Sequence, residues 1–339
     1  MPLLVNKQSR SVSQQGKSKL SGLVTLLVLL GLIGGLLANG NRFFDYWRLH
    51  GYTPPANVAQ LASDTTMNEY ARHMFYLNKP GVLPTVASFR QHCPENQDTI
   101  VLGCYHSGEN GIFVYDVPDP TLAGVQQVTA AHEMLHAAYS RLSRHDKSVI
   151  NTQLKDFYKH GLSDPQVLAE LKIYKVTEPD SLPDEMHSLF GTEITNLPQG
   201  LENYYKKYFS DRSKIVAYQA RYQTQFTQRQ DAIAADDKQL NELKAQINAQ
   251  QPILDSQLAS ITADRARING YASSNNVAAY NAAVPAFNAK IDRYNAGIGT
   301  LQSLISSFND LVAARNAIAG QLTTLDKALD TRTIQQMSH

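Results

Sequence analysis

"TAAHEMLHAAY", Thr129–Tyr139, places a glutamate directly after the first of two histidines four residues apart. In a helix, positions i and i+4 lie on one face, so His132 and His136 can aim two imidazole nitrogens at one point. Neutral imidazoles at that spacing suit a zinc ion about 2 Å away. Glu133 follows about 100° round the helix, beside such an ion. A zinc-bound water has its pKa brought near 7, and an adjacent carboxylate can take its proton as it attacks a carbonyl carbon. From Val128 to Tyr139 the only charged residues are those of the motif, and Ala130, Ala131, Ala137 and Ala138 leave room for a metal. An ordinary core helix here has to bury a carboxylate and two imidazoles among apolar neighbours, which is costly without partners.

The 339 residues are 43% hydrophobic with a formal net charge of +1. That is ample for a core and gives no global pull towards nucleic acid. Lys7, Arg10, Lys17 and Lys19 precede an uncharged run from Leu20 to Asn41. About 20 residues without a charge is the length a helix needs to cross a bilayer. The basic bias predicts a cytoplasmic N-terminus (1–19), a single-pass membrane anchor (20–41) and everything beyond it outside the cell membrane. A cleaved signal peptide is the rival reading, but "LLANGN" is a poor cleavage site. In an exported domain, Cys93 and Cys104 read as a disulfide across a hairpin or loop. His92 and His106 flank them, so a Cys2His2 metal site is the alternative.

"RFFDYWRLHGYTPPANV" is an aromatic linker over 42–58. Thr66 with Glu69 predicts a capping box for a helix through Leu77. Two β-like runs follow, Thr99–Tyr105 and Gly111–Val117, with the turn-rich "HSGENG" between them. Further helices are expected over His145–Tyr158 and in "SDPQVLAELKIY" and "PDEMHSLFGTEI", the last two opened by Asp-Pro or Pro-Asp signals. An α+β domain over 59–210 is the expectation.

From residue 211 the composition turns to Ala, Gln and Asn. Tyr280, Phe287, Tyr294, Leu301, Phe308, Arg315 and Leu322 recur every seven residues, with Val284, Ile291, Ile298, Ile305, Val312 and Ala319 between them. That is a heptad seam. "NGYASSNN" (269–276) predicts the turn of an antiparallel coiled-coil hairpin over 211–339, and Pro252 and Pro285 predict kinks or local ends. Such an arm serves as a spacer or docks a protein partner.

"TAAHEMLHAA" also resembles the zincin metallopeptidases, over roughly residues 60–210. The resemblance implies a sheet whose edge strand binds an extended peptide, and "GIFVYDV" (Gly111–Val117) is the expected edge. After His136 the chain reads "AAYSRLSRH", without the metzincin Gly and His. A third ligand is therefore expected from a downstream helix, as in gluzincins. Asp184-Glu185-Met186-His187-Ser188 resembles the thermolysin-type Asn-Glu-x-x-Ser pattern, which makes Glu185 the ligand. Leu189 stands where that pattern has an Asp, so the usual hydrogen-bonding support is missing. Glu193, eight residues on, and His187 are the other contenders. Tyr139, His187, Tyr204 and Tyr205 are the candidate oxyanion donors.

The expectation is thus a membrane-anchored extracytoplasmic zinc endopeptidase, with Glu133 as general base and one zinc ion on His132, His136 and Glu185. It takes a protein or peptide substrate and binds no nucleic acid. The alternative is a non-catalytic envelope scaffold that uses the hairpin, with a structural metal.

Overall fold

The computed structural model describes residues 44–94, 100–107 and 111–332, together with Leu26 and Leu29. In chain order the elements are α1 (44–49), α2 (Ala56–Asp64), α3 (Glu69–Leu77), β1 (Gly81–Leu83), α4 (Val86–His92), β2 (Gly103–His106) and β3 (Gly111–Tyr115). A 3-10 turn (Pro120–Leu122) leads into α5 (Val125–Ser140), α6 (Arg144–His160), α7 (Pro165–Thr177), α8 (Leu182–Thr192) and α9 (Gln199–Tyr205). Two long helices, α10 (Ser213–Ser273) and α11 (Val277–Leu329), close the described chain.

Helix takes up 76% of the structure, against three short strands. This corrects the expected α+β fold with its membrane helix. Most of 59–210 is spent on helices: α2, α3 and α8 pack on α5, α6 and α7 pack on α8, and the short sheet lies against α5 as well. Ala130, Ala131, Met134, Leu135 and Ala137 on α5 are completely buried. Around them lie Phe75 of α3, Leu154 of α6, Leu171 of α7 and Phe190 of α8. Gly191 lets α8 come close, since a Cβ there would lie 2.5 Å from Leu135 Cδ1.

The strand order is β1-β3-β2, with β1 parallel and β2 antiparallel to β3. "GIFVYDV" therefore supplies the central strand rather than the edge. Ile112 and Val114 are buried, as a middle position demands, and β2 is the edge facing α5. The start of α3 also differs from expectation. Its N-cap is Asn68, whose side chain accepts from the Ala71 amide, while Thr66 sits at φ 54° and donates its hydroxyl to Asp211 O. Cys93 and Cys104 are disulfide-bonded, tying the end of α4 to β2.

No helix among the described residues is long and apolar enough to cross a membrane. The expected membrane anchor is not supported, nor is the single-pass, extracytoplasmic location that rested on it. The two helices long enough to span a bilayer carry charges such as Asp236 and Lys238 on α10 and Lys290 and Asp292 on α11. The segment 20–41, apart from Leu26 and Leu29, and the basic stretch 1–19 lie outside the described residues.

α10 and α11 fold back on each other through a turn of only three residues, 274–276, with Asn275 at φ 56°. The pairs Asp264–Lys290, Asp237–Arg315 and Arg229–Gln321 recede from the turn in step, an antiparallel register. Arg315, the one charged heptad position, reaches Asp237 at 3.0 Å. Gly297 lets Leu254 approach, since a Cβ would lie 2.8 Å from Leu254 Cδ2. Both helices run through Pro252 and Pro285 without ending.

The base of this hairpin is part of the core. Ile215 is fully buried, and Tyr218 and Tyr222 pack against the α5 cluster. Arg212, itself buried, donates to Ile194 O at 2.6 Å and Thr195 O at 3.1 Å and pairs with Glu202, which secures the exit of α8. Leu325 of α11 packs on Leu122 and Val125, and the Thr331 hydroxyl donates to Val101 O at 2.7 Å.

Candidate metal centre

His132 and His136 meet one turn apart on α5, with their Nε2 atoms 3.0 Å from each other. Glu185, in the first turn of α8 where the helix dipole favours an acid, faces both. Its Oε2 is 3.7 Å from His132 Nε2 and its Oε1 is 3.6 Å from His136 Nε2. These three residues form a cluster that could hold a metal ion. A tetrahedral ion with ligands at about 2.0–2.1 Å sets neighbouring ligand atoms about 3.4 Å apart. The observed separations of 3.0, 3.6 and 3.7 Å bracket that edge. Glu185 Oε2 is buried without a hydrogen-bond partner, a costly state that a cation relieves. The donor set of two imidazoles and a carboxylate therefore fits a divalent metal.

His136 Nδ1 lies 2.8 Å from Asp184 Oδ1. With the proton on Nδ1, the Nε2 lone pair is presented to the cluster. The thermolysin-type pattern used for the expectation has such a partner where this chain has Leu189. Asp184 supplies it from the residue before Glu185, a nearness in sequence that was open to notice. Charge around the imidazoles is strongly negative. Burial opposes their protonation, but Glu185 outweighs it at His132, and Asp184 with Glu185 raises His136 to about 10. Burial also works on Glu185, yet His132 and His136 hold its carboxyl below the usual range.

Glu133 is 7% exposed and turns towards β2. A Cβ at Gly103 would meet Thr129 Cγ2 at 2.5 Å and Glu133 Oε1 at 2.7 Å, so only glycine lets the edge strand lie so close. Burial pushes the Glu133 carboxyl up, against the lowering effect of His136 and His132. That is the direction a general base working near neutrality needs.

The other contenders stand outside the cluster. His187 is fully buried, with Nε2 2.9 Å from the Tyr204 hydroxyl, and the Tyr205 hydroxyl donates to its carbonyl at 2.7 Å. Burial first, then His136 and His132, lowers it to about 3, so it is neutral. Glu193 accepts from Gln219 Nε2 at 2.9 Å. Burial and the charge of Glu170 push Glu193 up to about 8. Tyr139 donates to Asn151 Oδ1 at 2.9 Å. Tyr139, His187, Tyr204 and Tyr205 do not line the cleft in front of the cluster. Tyr174 of α7 and Tyr222 of α10 do, along with Gln219, Glu170, Glu178 and Glu193. Burial and the surrounding carboxylates, Glu185 foremost, raise the Tyr174 hydroxyl well above its ordinary value. Cys93, Cys104 and His106 also lie close enough together to ligate, but both sulfurs are spent in the disulfide.

The cleft holds about 660 Å³ and runs from β2 to the base of α10. No model of a known protein family, no curated protein and no solved structure matches the chain.

Proposed function

We propose that the chain is a zinc-dependent peptide hydrolase of the zincin type. One observation carries this reading: the triangle of His132, His136 and Glu185 opens on a cleft with Glu133 beside it. Two imidazoles and one carboxylate are the donor set of catalytic rather than closed structural zinc. A zinc ion held there supplies Lewis acidity to a carbonyl and to an attacking water.

The chain's own residues carry the remaining steps. Asp184 fixes the tautomer of His136. Glu133 takes the proton of the attacking water and returns it to the leaving amine, with burial keeping its carboxyl basic enough for both. Tyr174, kept protonated by burial and its acidic neighbours, donates to the oxyanion. β2 lines the cleft with an edge that no other described strand pairs, so an extended peptide can add to the sheet beside Glu133.

The test is metal analysis of wild type and Glu133→Gln, followed by digestion of a peptide library. Equal zinc in both, with cleavage reduced by about 10²- to 10⁴-fold in Glu133→Gln, supports the reading. Equal cleavage by the two proteins overturns it.

A further inference from the structure

The cleft carries an imbalance of charge that the hydrolytic reading does not use. Its described lining contains Glu133, Glu170, Glu178, Asp184, Glu185 and Glu193, and neither a lysine nor an arginine. A divalent metal and the imidazoles answer Glu185, Asp184 and Glu133. Glu170 on α7 and Glu193 at the end of α8 line the same cleft, in the wing where Gln219, Tyr222 and Gln223 of α10 also contribute. Burial foremost, and nearby acids after it, raise both carboxyls against the lowering effect of His132, and a cation lying between them favours their ionised forms.

A second observation points the same way. Gln219 spends its amide nitrogen on Glu193, and its Oε1 is buried without a donor. A buried acceptor left unpaired is costly. Two carboxylates, an unfilled amide acceptor and two tyrosine rings define one kind of occupant. It has a positive head with several N–H donors and an aliphatic stem that can lie on aromatic faces.

We propose that this wing of the cleft is a specificity pocket for a lysine or arginine side chain of the bound peptide, read by Glu170, Glu193 and Gln219. The proposal rests on the cleft being the peptide site of a hydrolase, and it makes the hairpin base part of the specificity machinery. The pocket accepts the basic side chain at one fixed position relative to the bond beside Glu133. Acidic peptides are repelled by the same lining.

The test uses the full chain loaded with zinc. Fluorescent peptides that differ only in lysine, arginine, norleucine or glutamate at one scanned position are offered to Glu133→Gln for binding and to wild type for cleavage. We expect the basic peptides to bind about 10- to 100-fold tighter than norleucine at one position, as for hydrogen bonds to charged groups. Glutamate at that position is expected to bind most weakly. The same preference should shrink in a Glu170→Gln/Glu193→Gln variant, with zinc content unchanged. Basic preference in binding without cleavage leaves the pocket standing and removes the hydrolase. Cleavage without basic preference removes the pocket and leaves the hydrolase. The comparison among the four peptides does not depend on the double variant, so it stands even if that variant does not fold. Equal or absent binding of all four peptides overturns the proposal.

Discussion

At the scale of single residues, the metal centre depends on two adjacent carboxylates with different tasks. Glu185 faces the imidazoles while Asp184, its neighbour, holds the rear nitrogen of His136. Asp184→Asn keeps the size and loses the negative charge, so zinc affinity should fall about 10- to 100-fold, as measured by competition with a chromophoric chelator. An unchanged affinity would mean that Asp184 does not orient the ring. Glu193 gives a prediction in pH. Its carboxyl rises from 4.5 to about 8 on folding, so the folded chain holds a proton that the unfolded chain has released. The stability it lends is complete below the unfolded value of 4.5 and is lost as pH rises through about 8. Urea midpoints of wild type should therefore fall relative to Glu193→Gln as pH is raised across that window, and parallel curves would contradict the assignment. His132 and His136 were legible from spacing alone, because the helix period fixes which side chains share a face. Asp184 was open to notice as the neighbour of Glu185, but the place of Tyr174 in the cleft was not, since it comes from packing α8 on α5 and α7 on α8, which no local pattern encodes.

At the scale of elements, the decisive contact is β2 against α5. Gly103 is a glycine because Thr129 and Glu133 occupy the space of a side chain. Gly103→Val should push Glu133 out of place and lower activity by on the order of 10²-fold while zinc content stays the same. Loss of zinc together with activity would show that the strand supports the whole site rather than the base. Gly124 opens α5 at φ 115°, and a Cβ there would lie 3.0 Å from Tyr218 O. Gly124→Ala should cost about 1–3 kcal/mol in chemical denaturation through the strained backbone. The β-like runs were visible in the sequence, but their order in the sheet was not. Alternating apolar residues say that a strand is half-buried, and only the pairing of β1 with β3 makes "GIFVYDV" central. The cap of α3 lies two residues beyond Thr66 because Asn68 is an equally good N-cap, and Thr66 is held by Asp211 instead.

At the scale of the whole molecule, the hairpin is rooted in the domain it was expected merely to follow. Ile215, Tyr222, Leu325 and Thr331 join it to the core, whereas its shaft pairs with itself. Replacing the shaft between Asp231 and Ala319 by a short linker should leave zinc binding and the melting temperature of the domain almost unchanged. A chain ending at Arg212 should lose several kcal/mol, since core side chains cost about 2–5 kcal/mol each when removed. The heptads were readable because their period differs from that of a globular helix, but the anchoring at both ends was not. It depends on residues such as Gly124 and Val101, far away in sequence.

The most direct measurement is anomalous diffraction at the zinc edge from crystals of the zinc-loaded full chain. One site per chain is expected, about 2.0–2.2 Å from His132 Nε2, His136 Nε2 and a Glu185 oxygen, with no fourth protein ligand. A fourth protein ligand would make the site structural, and no peak at these residues would contradict the metal centre itself.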